Sequence, residues 1–212
     1  CTALASLTLP DSLTSIGDYA FSDCSALASL ALPVSLTSVG SGAFRNCAAL
    51  TSLTIPENIL SIGTYAFSGM VKLTQLNFNA VNCADLSSDN AVFENIGAES
   101  AGVAVTIGAD VERVPSYMFC PSGSWNGQGE PVNITSVSFA ENSACRSVGE
   151  QAFAYCRATE IFLPQTVESV QHRIFIGCAE LEKVSLPDME YVDEYTAHDA
   201  AFYFGADLPQ TL

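Results

Sequence analysis

The chain has 212 residues, 49% apolar and 14% charged, a balance too apolar and too sparsely charged for a disordered segment. Seven basic against 23 acidic residues give a formal charge of −16, which repels phosphate backbones and anionic headgroups and argues against nucleic acid as a partner. Apolar runs fall far short of the ~20 residues that span a bilayer, so no direct membrane insertion is expected. Residue 1 already stands inside a recurring pattern, with no basic-then-apolar leader ahead of it, so the chain reads as a fragment of a longer protein.

From the first residue, Cys1 to Asp23, Cys24 to Asn46 and Cys47 to Gly69 align without a gap as units of 23 residues. Each reads C-x-x-L-x-x-L-x-[LI]-P-x-x-[LI]-x-x-[IV]-G-x-x-A-F-x-x, as in Cys24, Leu27, Leu30, Leu32, Pro33, Leu36, Val39, Gly40, Ala43 and Phe44. The pattern then loosens. A fourth unit, Met70 to Asn95, gains three residues; a fifth runs from Ile96 to Pro121; a sixth, Ser122 to Tyr155, carries a long insertion. The seventh and eighth begin at Cys156 and Cys178, and the eighth is degenerate beyond Pro187.

The spacing dictates a coil. In L-x-x-L-x-L the last two leucines lie two apart, on one side of a short extended strand. The proline that follows cannot donate to a ladder and ends the strand. L-x-x-I-G returns a second apolar pair to the interior, glycine is expected to permit the tight corner, and A-F fills the back. A single turn cannot bury both rows. Neighbours therefore stack at roughly 4.8 Å, giving a rod of about 40 Å for eight turns. Stacking predicts one aromatic ladder: Phe21, Phe44, Phe67, Phe93, Phe119, Phe153 and Phe175.

Five of the eight cysteines (Cys1, Cys24, Cys47, Cys156 and Cys178) share one repeat position, where Met70 and Ile96 substitute, which reads as a row of buried thiols. Parallel side chains about 4.8 Å apart are poorly placed for disulfides, which want β-carbons nearer 3.8 Å. Cys145 falls at a core leucine position. Cys83 and Cys120 lie in irregular stretches, and pairing between them stays an open alternative to free thiols.

The segment [LI]-P-x-x-[LI]-x-S-[IV]-G-x-x-A-F-x-x-C strongly resembles the BspA-like class of leucine-rich repeats, most closely over residues 1–69 and 145–187. The fold class expected is a leucine-rich-repeat solenoid, with short parallel strands on the concave face and short-strand and turn segments on the convex face. It would form one domain over 1–212: regular turns 1–69, irregular turns 70–155 with the insertion near 120–133, and turns 156–212 with a degenerate last turn. The resemblance further implies a secreted or surface-attached protein of host-associated microbes, several of which act as adhesins for host matrix proteins or other microbes. The shared motif is scaffold, so no binding residue carries over from it.

Positions between the strand leucines point away from the core and make the first candidate ligand face: Ser29, Ser52, Thr54, Gln75, Asn77, Thr106, Ser136, Ser138, Glu160 and Phe162. The second candidate is the Gly-rich insertion 120–133, which carries Trp125 and would either contact ligand or fold back over an irregular turn. The acidic stretch Asp188, Glu190, Asp193, Glu194, His198 and Asp199 lacks calcium-loop order and reads as a solvated edge. Asn133-Ile-Thr135 is a glycosylation sequon, meaningful only if the source glycosylates secreted proteins.

His172 and His198 belong to no recognisable catalytic arrangement, and neither nucleophile, metal nor phosphate-loop motifs occur, so no enzyme activity, cofactor or metal is expected. Two roles remain. One is a monomeric binding and adhesion module for a protein or glycan ligand, host extracellular matrix included; the other is a structural spacer that presents further domains of a surface protein.

Overall fold

The computed structural model describes residues 1–87, 89–122 and 132–187, and over these the chain winds as a right-through stack of coils built from short parallel strands. Each unit contributes up to two strands. The L-x-L segment gives β3 (Ser52–Ile55), β5 (Gln75–Phe78), β6 (Val103–Ile107), β8 (Ile134–Phe139), β10 (Glu160–Phe162) and β12 (Lys183–Ser185). The S-[IV] before the repeat glycine gives β1 (Ser15–Ile16), β2 (Ser38–Val39), β4 (Ser61–Ile62), β7 (Arg113–Val114), β9 (Ser147–Val148) and β11 (Ser169–Val170). One six-stranded parallel sheet runs β12-β10-β8-β6-β5-β3, and two three-stranded sheets, β1-β2-β4 and β11-β9-β7, line a second side.

Alternation explains which residues fill the interior. In β3 and β5 every second residue is buried, so Leu53, Ile55, Leu76 and Phe78 face inward while Ser52, Thr54, Gln75 and Asn77 face out. In the first two units the expected strand reduces to a single Ser6–Ser29 bridge, and Leu7, Leu9, Leu30 and Leu32 are only partly buried.

At the back corner the phenylalanine ladder forms as expected. Successive rings from Phe21 to Phe67 stand 5.2 and 5.8 Å apart with planes within 13°. The ladder continues through Phe93, Phe119, Phe153 and Phe175 at centroid distances of 5.5 to 6.4 Å. Backbone bonds lock the same corner: the N–H of Phe21 donates to Ala43, Phe44 to Ala66 and Phe67 to Val92, at 2.8, 2.8 and 3.1 Å.

The corner corrects the expected role of the repeat glycine. Left-handed backbone falls two residues before each ladder phenylalanine, on Tyr19, Gly42, Tyr65, Ala91, Tyr117, Gln151 and Arg173, and not on Gly17, Gly40, Gly63 or Gly149. Those glycines meet a different demand, the approach of the coil beneath. A Cβ on Gly40 would lie 2.5 Å from the Asp18 carboxylate, and one on Gly63 or Gly149 2.4 Å from the backbone nitrogen of Ser41 or Ser116. Gly17, with no coil beneath it among the described residues, has nothing within 4 Å. Where Gln171 takes this position in the seventh unit, its amide oxygen folds back to accept the Glu150 N–H at 2.9 Å.

Distortion is concentrated in the fourth unit. No second strand forms there among the described residues; instead the chain climbs through Cys83 and Leu86, both buried, and the Leu86 N–H reaches Ser116 at 3.1 Å. The sixth unit carries a bulge at Thr135, where the register of β8 shifts against β6.

Cysteine behaves largely as the sequence predicts. No disulfide forms, and Cys83 and Cys120 are both buried thiols that are not bridged to each other. Cys1 is the correction: it is exposed, and among the described residues the first unit is flanked by one coil. The buried row makes a contact that hydropathy does not reveal. Cys47 and Cys178 donate to the carbonyls of Phe21 and Phe153 in the adjoining coil, at 3.4 and 3.1 Å.

Candidate functional site

The outward side of the six-stranded sheet brings the sequence-predicted residues together in two straight rows. Parallel pairing in register sets Ser52 beside Gln75, Gln75 beside Ala104, Ala104 beside Ser136, and Glu160 beside Lys183. The second row carries Thr54, Asn77, Thr106 and Ser138, then Phe162 beside Ser185. Five strand spacings make the face about 24 Å long. Thr106 and Ser185 are half-covered and the rest of both rows is exposed. Ser29 is also exposed, on the Ser6–Ser29 bridge that precedes the sheet.

The rows tie themselves together weakly. Asn77 Nδ2 donates to Thr54 Oγ1 at 3.3 Å, and the hydroxyls of Thr106 and Ser138 lie 3.4 Å apart. The early strands present short hydroxyl and amide groups without charge; Glu160, Phe162 and Lys183 end that uniformity, with the Lys183 ammonium 4.9 Å from the centre of the Phe162 ring. Phe162 is 43% exposed, unusual for a large apolar side chain inside a sheet.

Beside Phe162 opens a groove of about 460 Å³ that the sequence reading missed. Its walls are the end of β8 with the loop after it, and the end of β10 with the loop after it: Ser138, Phe139, Asn142 and Ser143 on one side, Phe162, Gln165 and Thr166 on the other. The local cause is length. Six positions separate Phe139 from Cys145, where four separate Ile55 from Ile59, and the surplus turns out through Asn142 at a left-handed φ of 57°. β8 and β10 consequently stay in register only at Val137 and Ile161. Counting residues between the strand and the second apolar pair was the signal that could have found it.

Trp125 and the acidic stretch from Asp188 to Asp199, with His198, lie outside the described residues. Asn133 of the sequon is already engaged: its amide donates to the carbonyls of Gly97 and Ser100 at 2.6 and 3.3 Å and accepts from Arg157 at 3.3 Å. A glycan on that nitrogen would replace one of its two hydrogens and so displace at least one of the first two bonds.

Burial holds several thiols and Tyr117 in their neutral forms. Burial pushes the Cys47 thiol up to about 12 and the Cys83 thiol up to about 11, and raises Cys145 and Cys156 as well, so these sulfurs stay protonated and poorly nucleophilic at neutral pH. Tyr117 is pushed up to about 12, by burial first and then by its bond to Glu150. Among the described residues no group of three His, Cys, Asp or Glu side chains is placed to hold a metal ion. Nor is any helix among them long and apolar enough to cross a membrane.

The repeat architecture agrees with a family model. The BspA-type leucine-rich repeat region matches residues 1–125 and 130–205 as six copies. The chain belongs to this family. The match points to no catalytic family. A solved structure with the same fold is a leucine-rich cell surface protein of Faecalibacterium prausnitzii, at 21% identity and TM-score 0.55, with 90% of this chain covering 50% of that one. The chain therefore spans about half the length of that protein. A leucine-rich repeat protein of T. pallidum aligns over 95% of this chain and 83% of its own at 17% identity and TM-score 0.40. The pneumococcal vaccine antigen PcpA aligns over 73% and 36% at 18% identity and TM-score 0.43. No curated protein matches the sequence.

Proposed function

We propose that this chain is a non-enzymatic recognition module of a secreted or cell-surface protein, holding a protein or glycan ligand against the outward face of its six-stranded sheet. The observation that carries the reading is the pair of outward rows, spaced by parallel pairing, whose members from β3 to β8 are mostly uncharged polar groups that leave room for a ligand to lie close. The description of the Faecalibacterium relative as a cell surface protein supports the location. Seven buried thiols and an acidic composition are compatible with it.

The test is an array of extracellular matrix proteins and glycans probed with the wild-type chain and with a Gln75→Arg, Ser136→Arg double variant. Both residues point to solvent, so the variant should keep its fold while its long cationic side chains obstruct the face. Saturable binding that the variant loses is expected. Binding that survives the double variant would move the site off the sheet, and no binding to any array member would leave the spacer role as the better account.

A further inference from the structure

The groove between the sixth and seventh coils has a composition that differs from the rest of the surface. The chain carries 23 acidic residues, yet no ionisable side chain is among the described residues that line the groove. What lines it is the exposed ring of Phe162 and the partly buried ring of Phe139, the apolar side chains of Val137, Ala140, Leu163 and Pro164, two primary amides (Asn142 and Gln165) and the hydroxyls of Ser138, Ser143 and Thr166. We propose that this groove is a subsite for one or two neutral sugar rings, with Phe162 as the platform and the amides as the groups that read the sugar hydroxyls. The assignment rests on the sheet-face reading above and specifies the ligand class at one end of it.

Three physical points select a neutral saccharide. An aromatic face carries partial negative charge, and the polarised C–H groups on one face of a pyranose pack against it while the hydroxyls project sideways. A primary amide both donates and accepts, which matches the hydroxyl of a sugar better than a carboxylate or an ammonium does. The volume, about 460 Å³, lies in the range of small-ligand sites and is too small to engulf a folded domain.

The topology leaves the ring available. β12 flanks β10 on one side and β8 on the other, so Lys183 meets Phe162 from the flank opposite Ser138 and the groove. Both β8 and β10 are interior strands, which removes an open sheet edge on which a peptide could add a strand. A proline-rich peptide would want a run of exposed aromatic ridges, and of the two rings that line the groove only Phe162 is exposed.

The experiment is an amide NMR titration of the whole chain with cellobiose, lactose, N,N′-diacetylchitobiose and a neutral proline-rich peptide. At least one of the three sugars should shift the amides of Ser138, Asn142, Phe162, Gln165 and Thr166 with millimolar affinity, and Phe162→Ala should weaken that binding by about tenfold or more. Phe162→Tyr, which keeps the ring, should retain it. Phe162 faces outward, so an unchanged spectrum elsewhere in Phe162→Ala verifies the fold. Silence of all three sugars, shifts that Phe162→Ala leaves intact, or a response to the peptide alone would overturn the proposal. If array binding is lost in the Gln75→Arg, Ser136→Arg variant while the sugars remain silent, the groove assignment fails and the sheet-face reading stands. Sugar shifts without any array binding would reverse that outcome.

Discussion

The first three coils and the three that follow solve the same stacking problem by different means. In residues 1–69 each coil repeats its predecessor, so equivalent atoms meet and the second strand ladder, β1-β2-β4, runs unbroken. In residues 70–155 the lengths change, the second ladder lapses in the fourth unit before resuming as β7-β9-β11, and single side chains take over at the gap. Asp18 accepts the Ser41 N–H at 2.7 Å in the regular part; in the irregular part Asp85, from an unrelated position, accepts the Ser116 N–H at 2.7 Å and pairs with Arg113. Ser100 and Asn133 clamp the loop at Gly97 from the other side of the bond, both donating to its carbonyl. What persists through both regions is the phenylalanine column, although the Phe93–Phe119 step tilts to 45° where regularity ends; the six-stranded sheet starts only at β3, in the third coil. The aromatic core thus continues past the change in length that interrupts the second ladder in the fourth unit.

The comparison can be broken most forcefully at its shared element. Phe67→Ala should cost about 3 to 5 kcal/mol, measured by urea unfolding, because the ring is fully buried between two others. Gly63→Ala comes next, at about 1 to 3 kcal/mol, since the added methyl would meet the Ser41 backbone and has no flexible neighbour to displace. Adding the same methyl at Gly17, where nothing lies within 4 Å, should change stability by no more than about 0.5 kcal/mol; equal costs at the two sites would contradict the close-stacking explanation.

The irregular region is sharpened by Asp85→Asn, with an expected loss of about 1 kcal/mol at neutral pH for a half-exposed carboxylate. Burial raises this carboxyl, but the Ser116 N–H and the Arg113 guanidinium outweigh that and hold it below the ordinary 3.8. Its folded value being depressed, the contribution is present in full above the unfolded aspartate range and disappears as pH falls through the folded value. Stability measured from pH 6 downward should therefore drop less in Asp85→Asn than in the wild type. The smallest effect belongs to Glu168→Ala, whose partner Arg146 and whose own side chain are both about two-thirds exposed. Removing that pair should change stability by about 0.5 kcal/mol or less in the same assay, and a larger loss would show that surface pairs matter to the stack.

Much of this was legible in the sequence because a repeat states each contact many times. Leu53, Leu76, Val105 and Val137 all follow from one pattern, as does the outward direction of Ser52, Gln75 and Ser136. Features that occur once were not legible. Asp85 does the work of Asp18 from a stretch without a repeat position, and the groove beside Phe162 exists because two surplus residues part strands that the pattern alone would keep together. Tyr19 and Tyr65 were hidden for another reason: large side chains are not expected in left-handed backbone, and glycine nearby drew the inference to itself. The thiol-to-carbonyl contacts of Cys47 and Cys178 were masked by Met70 and Ile96, which share that position and keep only the apolar half of its role.

The most direct test of in-register stacking is a double-mutant cycle between neighbouring and distant members of the aromatic column, using the mild substitutions Phe44→Leu, Phe67→Leu and Phe153→Leu. Phe44 and Phe67, with centroids 5.8 Å apart, should couple by about 0.5 to 1.5 kcal/mol, while Phe44 and Phe153 should add independently. Additivity in the neighbouring pair, or equal coupling in both, would contradict a column built coil upon coil.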